Sequence, residues 1–340
     1  MLIEILITAL NAVLPILLLI LLGYLLKQSG FLTEDFVKLG HKLVFKVCLP
    51  VMLFVNIYEI ESFSNIPWDL VLYGVGVAVV LYGIGYVVAV TTTKVPERRG
   101  VVLQCVFRSN FAIIGLPLAQ ILGGAEAVAA SAVLLAFAIP LFNILAVTSL
   151  SLFVGEGEGK GAGVKTVLRN IFHNPLIIAS ALAILCLLLR MAQTEIFGKT
   201  VFTISGNLEF LYIALGYLSK ITTPLSLIVL GGQFVFSAVK GMRREIVVST
   251  VFRVVVAPVI GVGGAYLLSS LGLLHCGPSE YPALISLFGT PVAVSSAVMA
   301  AQMKNDAQLA TQLVVWTSVC SIFSLFALIC AMMSLGLLLI

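Results

Sequence analysis

The sequence predicts an all-α integral membrane protein of ten transmembrane helices, arranged as two inverted five-helix repeats with crossed, proline-broken fourth and ninth helices. Three observations carry that expectation. Hydrophobic residues make up 61% of the chain and charged residues 10%, against about 25% charged in a soluble domain. Apolar runs recur from end to end, each long enough to cross a ~30 Å hydrocarbon core. A constant spacing also relates landmarks of the first half to landmarks of the second.

The expected spans are 3–26, 36–58, 68–91, 100–122, 126–153, 171–190, 209–238, 245–270, 280–303 and 308–338. The first is expected to be a membrane helix and not a cleaved leader, because residues 1–10 carry Glu4 and no positive charge while the first lysine, Lys27, follows the apolar run, the reverse of a leader's order. Alternate loops differ in charge. One set carries thirteen basic residues, from Lys27 through Arg98, Arg99 and Lys160 to Lys304, and the other carries two, Arg190 and Lys199. The positive-inside rule then puts both termini outside and the glycine-rich 155–170 loop in the cytoplasm of a plasma membrane, the bacterial inner membrane being the expected one. Five spans on either side of that loop, in 1–154 and 171–340, require the second half to be inserted upside down. Pro50 and Pro224, Gly115 and Gly289, and Pro117 and Pro291 are each 174 residues apart, as are Lys46 and Lys220. Inverted repeats with corresponding interrupted helices are the mark of a secondary transporter and of its binding site.

Several other chemistries find no support. Cys48, Cys105, Cys186, Cys320 and Cys330 fall within apolar spans, where a thiol packs as a small hydrophobe, and only Cys276 sits in a loop. Neither they nor His41, His173 and His275 have metal-ligand spacing. No cofactor, metal or nucleic-acid partner is expected. The chain offers no nucleophile–base pair and no phosphate loop, so no catalytic residue is expected either.

The fourth and ninth spans carry the candidate site. Gly115 and Pro117 interrupt the fourth, and Gly289, Thr290 and Pro291 the ninth. Proline removes a backbone donor and clashes with the preceding turn. New half-helices should therefore begin near Leu118 and Val292, presenting free amides and a partial positive charge to the midplane. Asn110, Asn143, Thr290 and Ser295 would add neutral hydrogen bonds, while Arg108, Arg253 and Lys46 would supply positive potential. A charge buried in a membrane is costly and must face a cavity or a partner. Cations without matching acids suit an anionic substrate, whereas a cation-coupled antiporter, the alternative on such a fold, calls for intramembrane acids. A non-transporting sensor would bring a soluble output domain, for which the sequence has no room.

The segments Arg108-Ser109-Asn110-Phe111 running into Gly115-Leu116-Pro117-Leu118, and Ala138-Ile139-Pro140-Leu141-Phe142-Asn143, resemble those of the auxin efflux carrier family in its prokaryotic, malate- or malonate-permease-like form. Asn174-Pro175-Leu176, Thr223-Pro224-Leu225 with Gly231, Gly289-Thr290-Pro291-Val292 and Asp306-Ala307-Gln308-Leu309-Ala310 are similar as well. The resemblance implies the crossover fold of the bile-acid/arsenite/riboflavin transporter superfamily. It further implies a homodimer in which helices 3–5 and 8–10 move against helices 1, 2, 6 and 7, with Asn110 as the family's helix-four asparagine. The expected function is carriage of a small mono- or dicarboxylate by elevator-type alternating access, secondary active with proton or sodium coupling, or facilitative.

Overall fold

The computed structural model describes residues 2–59, 67–153, 168–169, 171–277 and 279–338. The 155–170 loop lies outside the described residues apart from 168–169. Among the described residues the elements are helices, and the sole β pairing is one isolated bridge. Helix α1 runs Leu2–Gln28. Among the described residues seven helices are long and apolar enough to cross a membrane: α2 Glu34–Tyr58, α3 Trp68–Thr92, α5 Phe111–Leu152, α6 Pro175–Phe197, α7 Glu209–Gln233, α8 Arg243–Ser270 and α11 Ala307–Ser334. Among the shorter helices are α4 Pro96–Phe107, α9 Glu280–Gly289 and α10 Ser295–Gln302.

Local chemistry accounts for the ends of these helices. Thr33 caps α2 by accepting from the amide of Phe36, Asn174 caps α6 by accepting from Leu176, and Asp306 caps α11 by accepting from Leu309. Helix α5 is 42 residues long, well beyond one crossing at 1.5 Å per residue. It turns at Gly124, whose φ of 63° and ψ of −153° are open to glycine and strained for other residues. Helix α1 packs against α7 at very short range. A Cβ on Gly23 would collide with the carbonyl of Ile228, and one on Gly231 with the carbonyl of Ile20, so both positions demand glycine.

The interruptions of the fourth and ninth spans differ in place from the expectation. Helix α4 stops at Phe107, and Arg108 is already extended, with φ −85° and ψ 109°. The chain resumes as a π turn over Phe111–Gly115 and only then becomes α-helical from Leu116. Pro117 therefore sits where the π turn passes into α-helix, and not in the break itself. The non-helical residues Ser109 and Asn110 are of types whose side chains compete with the helical backbone. In the ninth span, helix stops at Gly289 and resumes at Ser295, so Pro291 and Val292 lie within the break. Pro117 and Pro291 thus occupy different places despite their shared offset. Elsewhere the halves touch at α2 and α7, where the Thr222 hydroxyl donates to the Cys48 carbonyl at 3.0 Å. At the two breaks the facing residues, Ser109 and Val292, are 183 apart.

Candidate functional site

The two breaks cross and bond to one another. The amide of Asn110 donates to the Pro291 carbonyl at 2.8 Å, and that of Ala293 to the Arg108 carbonyl at 3.4 Å, flanking the antiparallel Ser109–Val292 bridge. Four helix ends meet here. The amides of Phe111, Ala112 and Ile113 precede Ile114, the first to donate within α5, to the Asn110 carbonyl at 3.0 Å. At the head of α10 the backbone of Val294 and Ser295 is placed in the same way. Both N-termini border a cavity of about 60 Å³, space for several waters at roughly 10–15 Å³ each. The C-terminal ends of α4 and α9 are held on the other side by Arg253. Its guanidinium donates to the Val106 carbonyl at 3.2 Å and to the Phe288 carbonyl, giving two orphan acceptors a partner.

Arg108 is 4% exposed and lines the cavity. Its guanidinium donates to Asn143 Oδ1 and Ser295 Oγ, each at 3.0 Å, and to Met299 Sδ at 2.7 Å. All three partners are neutral. Removing an ion from water costs several kcal/mol unless a countercharge and hydrogen bonds replace the solvent, so this cation retains positive potential toward the cavity. Two more polar groups are buried without a protein partner, the Asn143 amide nitrogen Nδ2 and the Ser109 hydroxyl, and both residues line the cavity. None of the lining side chains is acidic. The opposite wall is apolar, formed by Leu49, Met52, Leu53, Ile139 and Phe142. Thr222 and Ser226 also reach the lining, but their hydroxyls are taken up by main-chain carbonyls, that of Ser226 by Thr222 and that of Thr222 shared between Leu218 and Cys48.

Of the residues singled out from sequence, Arg108, Asn110, Asn143 and Ser295 come together around the cavity. Pro291 supports the crossing through its carbonyl, and the Val292 amide donates to the Thr317 hydroxyl at 3.2 Å. The Thr290 hydroxyl returns to the Ser286 carbonyl at 3.0 Å. Gly115 and Gly289 are packing positions, where a Cβ would press on Phe111 and Ser286 or on Leu325. Leu118 is buried in the core, and Pro117 borders a neighbouring apolar hollow beside Pro15 and Leu19. Arg253 does not line the cavity, and Lys46 is exposed within the π turn Val44–Cys48. Sequence reasoning passed over Ser109, Met299 and the hydroxyl residues of α7. Ser109 stands inside the quoted motif, and Thr222 and Ser226, four residues apart on one helical face, were the available signal for α7.

A model of the family described as membrane transport protein matches residues 8–329. The chain belongs to this family, the auxin efflux carriers. An uncharacterized transporter from Methanocaldococcus jannaschii is 26% identical over 269 residues, 77% of this chain and 81% of the relative. Another, from Methanothermobacter thermautotrophicus, is 25% identical over 324 residues, 93% of this chain and 95% of the relative. The family is one of multi-pass membrane transporters, in keeping with the apolar helices around the crossing.

Proposed function

We propose that this family member carries a small organic anion, with a carboxylate of the substrate held beside Arg108 at the crossing of the two breaks. The observation that carries the reading is a buried guanidinium with only neutral partners, in a cavity bordered by two helix N-termini. The unpartnered Asn143 amide and Ser109 hydroxyl supply further donors. One cation at one end and an apolar wall at the other suit a single carboxylate on a short apolar body better than a dicarboxylate. In this reading the chain makes ten crossings as two inverted repeats in the plasma membrane, with both termini outside. Alternating access follows from movement of helices 3–5 and 8–10 past the other four, within a homodimer, with proton or sodium coupling or none.

The test is Arg108→Gln, which keeps hydrogen-bonding capacity and removes the charge. A hydrogen bond to a charged group is worth about 1.5–3 kcal/mol, so affinity for the best ligand in a panel of mono- and dicarboxylates should fall tenfold or more by calorimetry. An unchanged affinity would remove the cavity from consideration as the substrate site.

A further inference from the structure

A second and larger cavity, about 420 Å³, opens beside Lys304 and His173. Three of its walls, from α2, α5 and α10, also border the central cavity, and the start of α6 adds His173, Asn174 and Pro175. On α10 the central cavity has Ser295 and the larger one Gln302, seven residues on; on α5 the pair is Asn143 and Leu150, again seven apart. On α2 it is Leu49 and Phe45, four apart. Spacings of four and seven keep residues on one helical face, so each of these three helices turns one face to both cavities, and a path between the cavities runs along those faces. Between them stands Met299, fully buried, one turn from Ser295 and bonded through its sulfur to Arg108.

The mouth of this path is built around Lys304. That residue holds φ at 58°, and it is the only non-glycine with positive φ among the described residues. It closes α10 in the manner of a glycine cap, with the Asn305 amide donating back to the Ala300 carbonyl at 2.9 Å. Asn305 Nδ2 then pins the turn by donating to the Leu150 and Met303 carbonyls at 2.9 and 3.0 Å. Glycine would adopt this backbone without strain, and a lysine there points to a role for its side chain. Lys304 and His173 are exposed at the cavity, the Asn174 and Gln302 side chains add polar groups, and no lining residue is acidic.

We propose that this vestibule is a second, low-affinity anion site, which gathers small organic anions at Lys304 and passes them along this path to the central cavity when Met299 moves aside. The identity of the anion rests on the reading given above; the vestibule's preference for negative charge does not. A positively lined cleft raises the local concentration of anions and their rate of arrival.

The experiment places a cysteine at Gln302 in an otherwise cysteine-free full-length chain, in detergent-solubilised protein. Its modification rates by an anionic and a cationic methanethiosulfonate of equal size are compared. A unit charge within about 6 Å, even at a dielectric near that of water, changes this ratio by roughly tenfold. Measured against the same pair of reagents on a free thiol in solution, whose thiolate itself favours the cation, the ratio should be shifted toward the anionic reagent, and Lys304→Gln in the same background should return it toward the free-thiol value, as should high salt. A ratio indifferent to Lys304 would overturn the proposal. Met303→Cys, on the same wall, serves if Gln302→Cys expresses poorly. The ratio is read without substrate, so it stands or falls separately from the carboxylate affinity lost in Arg108→Gln.

Discussion

The amide of Asn110 and the carbonyl of Pro291 meet at 2.8 Å, joining a break in one membrane helix to a break in another. In hydrocarbon such backbone is tolerated only where protein or a cavity satisfies it, and here each break satisfies the other. Ser109 and Val292 form the non-hydrogen-bonded pair between the two bonds, a geometry with Cα atoms about 4.5 Å apart. That separation is within disulfide reach. Cysteines at both positions of a cysteine-free variant should therefore link under mild oxidation. Cleavage at a protease site placed in the 155–170 loop would then leave the halves joined, whereas halves that separate without reductant would show that the breaks do not cross.

Arg253 carries a different burden from Arg108. It is fully buried and bonded to the last carbonyls of two helices rather than to the cavity. Arg253→Met leaves both carbonyls unsatisfied, at about 1–3 kcal/mol each. Thermal unfolding of the purified protein should move down by several degrees, while the folded fraction binds carboxylate with wild-type affinity. A variant of normal stability but weakened binding would return Arg253 to the site.

Why some of this was legible in the sequence and some was not has a physical basis. Long apolar helices announce themselves by composition, and Arg108 with Asn110 was visible as polarity inside an apolar span. The exact residues that leave the helix were not. Proline and glycine mark where helix is weak, yet Pro117 is taken up where a π turn passes into α-helix, while Ser109 and Asn110 leave the helix because a partner 183 residues from Ser109 pairs with that backbone. The role of Arg253 was hidden for a related reason, since its acceptors are main-chain carbonyls 147 and 35 residues away. Lys46 misled because it stands in a π turn, which adds a residue to the helical turn and shifts the face that a regular period would assign.

Glycine positions offer a controlled comparison. Gly231 faces the Ile20 backbone so closely that alanine would force α1 and α7 apart, and backbone cannot yield as a side chain can. Gly76 has nothing within 4 Å of an added Cβ. Gly231→Ala should destabilise by about 1–3 kcal/mol or more, the cost of overpacking. Gly76→Ala, in the middle of α3, should be neutral or stabilising by up to about 1 kcal/mol. Thermal unfolding of the two variants in the same detergent decides it, and equal effects would contradict the close contact of α1 and α7.

The most discriminating variant is at Asn143, whose Oδ1 accepts from Arg108 at 3.0 Å while its Nδ2 is buried without a protein partner. Asn143→Ala removes one acceptor from the guanidinium and one donor from the cavity, and carboxylate affinity should fall about tenfold, as expected for one hydrogen bond to a charged ligand. Asn143→Asp is nearly isosteric but has the opposite electrostatic consequence. It sets a carboxylate against Arg108 at the position where a substrate carboxylate is expected, so the protein supplies its own anion. A countercharge offsets part of the desolvation of the buried cation, and the variant should unfold at the wild-type temperature or above it. The same pairing cancels the potential that draws in an external anion, so binding should be lost far beyond the tenfold of the alanine variant. Stability and affinity therefore move in opposite directions in Asn143→Asp and fall together if Asn143 is only a packing residue. Calorimetric titration with the best carboxylate, run beside thermal unfolding, separates the two. If Asn143→Asp binds carboxylate as the wild type does, Arg108 is not the group that receives the substrate's charge.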